Sequence, residues 1–212
     1  MTNSITVVKL GGTEGVDFSA ISQDVAKMIA EGQKLVLVHG GSAEANALGE
    51  AVGKPPRFVT SPSGYTSRYT NRETLEVFAM AVNGKVNTFL VEQLQMLGVN
   101  ALGLSGVDGG LLKAKRKSAI RIVENGKKKM LRDDYTGKIN AVNADLLKTL
   151  LNAGYIPVVA PMAMSEKGEA LNVDADRAAA EVAAALDADT LLLLTAVPGL
   201  MRDFPDESSL IK

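Results

Sequence analysis

The chain has 212 residues, of which 46% are hydrophobic and 22% charged, and its formal net charge is −1. This composition supplies ample material for a buried core and excludes an intrinsically disordered protein. Because the chain has no cysteine and a single histidine, His39, it cannot form disulfides, iron–sulfur clusters or a multi-histidine metal site.

Short β-rich segments alternate with helical ones along the chain. Strands are predicted at 5–10, 35–38, 99–104, 156–160 and 190–195. Helices are predicted at 18–30, 43–52, 72–97, 143–152 and 174–186, with Ser42 as the N-cap of the second. Apolar strands separated by helices indicate a parallel sheet covered on both faces. We therefore predict an α/β fold: a three-layer α/β/α sandwich with a mainly parallel central sheet.

No segment is suited to a membrane. The longest apolar stretches, 155–164 and 191–201, are shorter than the ~20 residues that a membrane-spanning helix needs. The opening sequence MTNSITVVKL lacks the basic and then apolar segments of a secretory leader. We expect a cytoplasmic protein with no membrane partner.

Residues 113–132 form a strongly basic segment, with nine Lys or Arg and one Glu. Asn125-Gly126 lies between β-favouring runs inside it and predicts a projecting β-hairpin. Such a segment is either a solvated face or a surface for an acidic partner. Nucleic acid is the weaker alternative, because the chain has no Trp, four Tyr and five Phe to stack on bases.

Two predicted strands end at glycine pairs, Gly11-Gly12 and Gly40-Gly41. Glycine allows close approach of a ligand to backbone N–H groups, which bind anions at a helix N-terminus. Neither pair belongs to a P-loop or a GxGxxG motif. One pair alone would be an ordinary turn, but two pairs at equivalent strand ends favour an anion site.

Lys9 interrupts an otherwise apolar strand directly before the first glycine pair. Its ammonium could reach solvent at the strand end, or it could face a phosphate over the glycines, which we favour. His39, at the end of the second strand, is predicted to be a packed, hydrogen-bonded core residue.

The segment 54–70 is rich in Pro, Gly and Ser and too long for a simple connection, which is typical of functional loops. Arg68 within it either is solvated or holds a carboxylate. Asn172, Asp174 and Asp176 surround a predicted helix start, where N-capping explains only one of them. The other carboxylate could orient a lysine or contact a metal–phosphate complex.

The chain offers no obvious general base, and one reaction class needs none. A carboxylate nucleophile is already ionised at pH 7. Phosphoryl transfer to it requires positioning and charge neutralisation rather than proton transfer. Lysines and glycine N–H groups would suffice for this reaction.

Five motifs occur in the order typical of the amino-acid kinase family: VKLGG at 8–12, HGG at 39–41, GLSGVDG at 103–109, NVDAD at 172–176 and VPGL at 197–200. The chain resembles the acetylglutamate kinase branch of that family. It is most similar to the kinases of aminoadipate or glutamate bound to LysW, a small acidic carrier protein.

The resemblance implies the amino-acid kinase fold, ATP as a substrate, and Mg²⁺ bound through the nucleotide phosphates with no metal site of its own. It implies that Lys9 stabilises the transferring phosphoryl group and that Asp176 orients the catalytic lysines. The implied substrate-binding residues are Gly40, Gly41, Arg68 and Asn172. The implied phosphate- and nucleotide-binding residues are Gly11, Gly12, Thr195 and Gly199. The implied carrier contacts are Lys113, Lys115, Arg116, Lys117, Lys127, Lys128 and Lys129.

The resemblance also implies an organisation in two lobes. Residues 1–170 would bind the acyl acceptor, with the basic hairpin at about 107–139. Residues 171–212 would begin a nucleotide-binding lobe, which relatives complete beyond the position of Lys212 with a second catalytic lysine. Ala196 stands where many members have Asp. A homodimer is expected, with helix 72–97 as its interface.

Three acceptors stay open on the sequence: carrier-bound aminoadipate, carrier-bound glutamate and free N-acetylglutamate. Aminoadipate and glutamate differ by one methylene, which a pocket discriminates by only ~1–3 kcal/mol.

Overall fold

The computed structural model describes residues 4–12, 17–203 and 206–211. Its α-helices are α1 (Phe18–Ala30), α2 (Ser42–Ala51), α3 (Arg72–Ala79), α4 (Thr88–Met96), α5 (Ala144–Asn152) and α6 (Ala175–Leu186). Its strands are β1 (Ile5–Leu10), β2 (Lys34–His39), β3 (Phe58–Thr60), β4 (Thr66–Arg68), β5 (Ala101–Ser105), β6 (Leu112–Arg116), β7 (Ile120–Glu124), β8 (Lys127–Leu131), β9 (Gly137–Val142), β10 (Ile156–Ala160), β11 (Met162–Ser165), β12 (Ala170–Asn172) and β13 (Thr190–Leu194).

The central sheet has five parallel strands in the order β13-β1-β2-β10-β5. These are the five strands predicted from the apolar segments; β1 and β10 have the predicted bounds, and the ends of the other three are shifted by one or two residues. Lys9 lies beside Val38, and Leu10 beside His39, in the register of β1 and β2. The two glycine pairs therefore leave the sheet next to each other.

Both faces of this sheet are covered. Val36 and Val38 of β2 belong to a core that includes buried residues of α5 and α6. Leu35 and Leu37, which alternate with them, pack on the other face with residues of α1 and α4. Full burial of such a side chain contributes roughly 1.5–3 kcal/mol, which explains why the strands are apolar throughout. The predicted three-layer α/β/α sandwich is confirmed.

The segment predicted as one helix at 72–97 is helical throughout but not uniformly α-helical. Between α3 and α4 lies a π-helical stretch, Met80–Asn87. A π-turn widens the helix and is common next to functional sites. Here the stretch ends at Asn87, which is buried and contacts His39, the residue before the second glycine pair.

Two further sheets lie outside the central one, in the orders β12-β11-β6-β9 and β4-β3-β7-β8. The segment 54–70, expected to be irregular, contains β3 and β4, which are too short at three residues each to give a strand pattern. β7 and β8 pair antiparallel around Asn125 and Gly126, both with positive φ, as the Asn-Gly signal predicts.

The basic segment is not one projecting hairpin over 107–139, and that expectation is corrected. Lys113, Lys115 and Arg116 lie on β6, in a different sheet from β7 and β8. β7 also pairs with β3, through Thr60 and Val123. The sequence could not reveal this, because pairing between strands distant in the chain leaves no local pattern.

In the residues that the structure describes, no helix combines the length and the apolarity needed to cross a bilayer. The lobe boundary at residue 170 stays a prediction.

Candidate active site

A cavity of about 1080 Å³ opens at the carboxyl ends of β1 and β2. This is where parallel α/β sheets bind ligands. Its lining includes most of the residues singled out from the sequence: Lys9, Gly12, Gly40, Gly41, Arg68, Lys117, Asn172, Asp174 and Asp176. Residues from several separate segments of the chain therefore converge on one site.

The two glycine pairs pack backbone against backbone. A Cβ on Gly12 would come within 1.9 Å of the Gly41 nitrogen, and a Cβ on Gly40 within 2.7 Å of the Gly12 nitrogen. The Gly40 N–H donates to the Leu10 carbonyl at 2.8 Å. Only glycine permits this approach, which places Gly12, Gly40 and Gly41 together at the cavity wall.

The second glycine pair leads directly into α2. Gly41 is the N-cap of this helix and provides no side-chain cap, so the prediction that Ser42 caps it is wrong. Ser42 is the first helical residue, and its hydroxyl donates to the Gly12 carbonyl at 3.2 Å. The positive end of the helix dipole therefore lies at the cavity, where it favours an anion.

Lys9 is buried and forms an ion pair with Asp176, with 2.9 Å between Nζ and Oδ1. A buried ammonium requires a partner, because transfer out of water is costly for a lone charge. Asp176 lies in the first turn of α6, where the helix dipole also favours a carboxylate. The pair directs a positive charge to the end of β1.

The three polar residues around the start of α6 have different partners. Asp174 is the N-cap, and its Oδ1 accepts the Arg177 N–H at 2.9 Å. The Asp176 carboxylate does not cap the helix and pairs with Lys9 instead. Asn172 donates through Nδ2 to the Thr70 hydroxyl at 3.2 Å, at the other side of the cavity. The prediction that capping explains only one of the three residues is confirmed.

Arg68 lies at the end of β4 and faces the start of α2. One of its terminal nitrogens donates to the Ser42 carbonyl at 3.2 Å, and the guanidinium lies 5.4 Å from the centre of the Phe58 ring. Burial lowers the pKa of Arg68 below its ordinary value. A guanidinium has five N–H donors, so those not used by Ser42 can bind a carboxylate bidentately.

His39 is a packed and satisfied core residue, as predicted. It has no exposed surface, and its two ring nitrogens contact the Gly40 carbonyl oxygen at 2.7 Å and the Asn87 side-chain nitrogen at 2.9 Å. Burial lowers the pKa of His39 to about 4. The imidazole is therefore neutral at pH 7.

Asp134 is a site residue that the sequence analysis missed. It is fully buried, and its carboxylate accepts from the backbone N–H of Thr70 at 3.2 Å and from that of Thr136 at 3.3 Å. The Thr136 hydroxyl donates to it as well. Asp134 fixes Thr70, which in turn holds Asn172. Its sequence context, beside Asp133 in a polar segment, gave no sign of burial.

Three residues expected at the phosphates lie outside the cavity lining. The Gly11 N–H donates to the Leu194 carbonyl at 2.9 Å and so continues the sheet. Thr195 follows β13, and its hydroxyl accepts the Val197 N–H at 3.0 Å. Gly199 is exposed, with a φ of 149° that favours glycine. Nucleotide contacts by these residues stay predictions.

The basic residues differ in how freely they are exposed. Lys113, Lys115, Lys117, Lys127, Lys128 and Lys129 are all exposed. Lys129 pairs with Glu124. Arg116 is engaged within the chain, 2.7 Å from the Glu169 carboxylate and 3.6 Å from the centre of the Tyr135 ring. Arg121 and Lys138, not singled out from the sequence, line the cavity with Lys117.

A parallel three-layer sandwich with glycine N–H groups and a buried lysine at its strand ends defines an α/β protein suited to bind and neutralise phosphate groups. The chain belongs to the amino acid kinase family, whose profile matches residues 4–212.

Curated relatives cover nearly the whole chain. It is 58% identical over 209 residues to [LysW]-aminoadipate kinase of Deinococcus radiodurans, a match that spans 99% of this chain and 72% of that protein. It is 52% identical to [LysW]-aminoadipate kinase of Thermus thermophilus, over 97% of this chain and 77% of the relative. Acetylglutamate kinase of Methanopyrus kandleri is 46% identical, with 97% and 77% covered.

Solved structures share the fold. N-acetylglutamate synthase from Neisseria gonorrhoeae superposes with a TM-score of 0.72 at 28% identity, over 96% of this chain and 43% of the other. Carbamate kinase from Giardia gives a TM-score of 0.61 at 15% identity, over 97% and 78%, and at that identity supports the fold alone.

Proposed function

We propose that this protein is a kinase that phosphorylates the side-chain carboxylate of α-aminoadipate or glutamate carried by an acidic LysW-type protein, in lysine or arginine biosynthesis. The observation that carries the proposal is the Lys9–Asp176 pair in one cavity with three glycines, Arg68 and Asn172; the glycines are Gly12, Gly40 and Gly41. The names of relatives at 52–58% identity support it. A biosynthetic role of this kind fits a cytoplasmic location.

The chemistry follows from the charges at the site. An oxygen of the ionised carboxylate attacks the γ-phosphorus of ATP, an O–P bond forms, and the bond to the leaving ADP breaks. No proton has to move. Lys9 neutralises the charge that develops on the phosphoryl oxygens, and the N–H groups of Gly12 and Gly41 add fixed dipoles. Asp176 holds the Lys9 ammonium in place.

Arg68 and Asn172 hold the acceptor in this proposal. The guanidinium binds the α-carboxylate, and the Asn172 amide contacts the amide that links the acid to its carrier. Thr70 and Asp134 support Asn172 from behind. Positioning of this kind is worth several orders of magnitude in rate when the reacting atoms are held close.

Membership in a kinase family implies ATP as the phosphoryl donor. Among the described residues, no three acidic or histidine side chains gather as a metal site would require. We propose that Mg²⁺ enters with the nucleotide phosphates and that Gly11, Thr195 and Gly199 contact the nucleotide.

The carrier is proposed to dock on the basic rim, defined as Lys117, Arg121 and Lys138 at the cavity with Lys127 and Lys128 on β8. Lys113 and Lys115, which are exposed on β6, are further proposed carrier contacts, whereas the charge of Lys129 is paired with Glu124. A positive surface beside the cavity mouth would steer an acidic partner and orient its attached acid inward.

A homodimer through the 72–97 helix is part of the proposal. Met80, Phe89 and Met96 expose 55%, 54% and 82% of their surface on this helix. Exposed apolar side chains of this size are typical of interfaces. Light scattering of the wild type against a Phe89→Glu variant tests it, and a monomeric wild type would contradict it.

The acyl phosphate is the product to measure. Full-length protein, ATP, Mg²⁺ and the charged carrier should give a hydroxamate when hydroxylamine is added. Lys9→Met should abolish the signal, whereas Lys27→Met, which removes an exposed lysine from α1, should leave it unchanged. No hydroxamate from a folded wild-type protein would refute the proposal.

A second acceptor, free N-acetylglutamate, is favoured by the 46% identity to an acetylglutamate kinase. Parallel assays with the free acid and the carrier conjugate separate the two. Activity on the conjugate alone eliminates the free-acid reaction, and activity on the free acid alone eliminates the carrier.

A further inference from the structure

The imidazole of His39 lies directly behind the glycine pair that lines the cavity. Its Nδ1 is 2.7 Å from the Gly40 carbonyl oxygen, and its Nε2 is 2.9 Å from Nδ2 of Asn87. All three groups are buried or at the cavity wall. The proposed reaction assigns no role to either side chain.

The contacts of Asn87 fix the tautomer of His39. Asn87 Nδ2 is also 2.9 Å from the Val158 carbonyl, which can only accept a hydrogen bond. The Asn87 atom at this point is therefore the NH₂ group, whose second hydrogen faces His39 Nε2. Nε2 must accept, so Nδ1 carries the proton and donates it to the Gly40 carbonyl. The low pKa of His39, about 4, keeps the ring neutral in this form.

The Asn87 side chain occupies space that is left by the absence of a side chain at Gly103. A Cβ on Gly103 would come within 2.0 Å of Asn87 Oδ1, so a larger residue on β5 would displace the amide. The π-helical stretch before α4 ends at Asn87. The Asn87 side chain is thus held by a neighbouring strand, by the Val158 carbonyl and by the imidazole.

The hydrogen bond from His39 fixes the orientation of the peptide group between Gly40 and Gly41, which lies at the cavity. The carbonyl of Gly40 and the N–H of Gly41 belong to the same planar unit and point in opposite directions. When the imidazole holds the carbonyl, the N–H must point away from it. The Gly41 nitrogen lies against Gly12, and both residues line the cavity. Within the described ranges no protein acceptor takes this N–H.

We infer that His39 and Asn87 are positioning residues that hold the Gly41 N–H directed at an anionic oxygen in the cavity. A peptide group flanked by two glycine Cα atoms rotates easily unless it is held. The imidazole restricts this rotation before the anion binds, so the entropic cost of binding is smaller. The inference rests on the proposed function only in taking the anion to be a phosphoryl group.

The first test uses the fact that His39 is the only histidine in the chain. A long-range ¹H–¹⁵N spectrum of the labelled full chain at neutral pH contains a single imidazole. We expect a protonated Nδ1 and an unprotonated Nε2. A ring protonated at Nε2, or on both nitrogens, would overturn the inference without any variant.

The second test follows the Gly41 N–H itself. Labelling with [1-¹³C,¹⁵N]glycine leaves carbonyl-correlated amide signals only where glycine follows glycine, at Gly12, Gly41 and Gly110. Titration with inorganic phosphate should shift the Gly41 signal and leave that of Gly110 in place. A shift at Gly110 alone, or at neither, contradicts the inference.

A matched pair of variants separates positioning from packing. In His39→Asn the side-chain nitrogen is as many bonds from Cβ as Nδ1, and it can still donate to Gly40. In His39→Gln it is as many bonds away as Nε2, and that donation is lost. We expect phosphate binding about tenfold weaker in H39Q and close to wild type in H39N.

Two variant results would overturn the inference: wild-type phosphate affinity in H39Q, or equal losses in both variants alongside equal falls in melting temperature. If H39Q does not fold, the spectra of the wild type decide. None of these measurements requires turnover. A protein that transfers no phosphoryl group but shows the expected tautomer and Gly41 shift would refute the proposed function and leave the inference standing.

Discussion

The Lys9 ammonium lies 2.9 Å from the Asp176 carboxylate, so a buried charge on β1 is held by the first turn of α6. Half of the Asp176 side chain is exposed, whereas Lys9 is buried, so loss of Asp176 alone would leave a buried ammonium without its partner. The ion pair also fixes the position of the ammonium.

Replacement of Asp176 by Asn should therefore reduce both activity and stability. The amide keeps the shape but cannot balance the Lys9 charge, and we expect kcat to fall by about 10–100-fold together with a lower melting temperature. The control is Asp174→Asn, since Asn is an equally good N-cap. Steady-state kinetics on both variants check the difference. If kcat is the same in Asp176→Asn as in Asp174→Asn, the ion pair is not needed for catalysis.

The contact between the glycine pairs predicts a sharp contrast between two Gly→Ala variants. A Cβ on Gly12 would meet the Gly41 backbone at 1.9 Å, so Gly12→Ala should destabilise the protein and weaken phosphate binding. At Gly84, in the π-helical stretch, a methyl group would have no neighbouring atom within 4 Å. Gly84→Ala should stabilise by about 0.5–1 kcal/mol. Thermal unfolding measures both changes, and a neutral Gly12→Ala would contradict the packing.

His39 predicts a pH dependence of stability. The pKa is about 4 in the folded chain and about 6.5 when exposed, so between those pH values the unfolded chain binds more protons. Stability from this group is complete above pH 6.5 and falls as the pH drops towards 4, by about 3 kcal/mol in all. Denaturant unfolding across this range should show the fall in the wild type and not in His39→Asn. An equal dependence of stability on pH in the wild type and in His39→Asn would show that a group other than His39 takes up the proton.

The proposed carrier surface predicts a charge effect confined to one acceptor. Lys127→Glu with Lys128→Glu should raise the KM for the charged carrier by about tenfold at low salt, and less at high salt, because exposed charges are screened. Lys27→Glu with Lys148→Glu, at exposed positions on α1 and α5, makes the same change in net charge and serves as the control. An equal rise in both variants would show only a net-charge effect.

The sequence pattern was sufficient to predict the strands and helices whose apolar residues recur at regular spacing. The five central strands and the helices on their faces follow from apolar periodicity. The places of His39 and Lys9 follow from their positions at strand ends, whereas the sequence did not show which of Asn172, Asp174 and Asp176 is the N-cap. Asp134 and the division of the basic segment between two sheets did not follow from the pattern, because both depend on pairing between distant segments. The π-helical stretch was also missed, since its eight residues are too few to distinguish its period from that of an α-helix.

The sheet β4-β3-β7-β8 has Arg68 near one edge and Lys127 and Lys128 at the other, joined through Thr60 and Val123. The proposed carrier surface on β8 and the Arg68 guanidinium over the start of α2 therefore belong to one hydrogen-bonded sheet, and the pairing of Thr60 with Val123 is the backbone connection between its two halves.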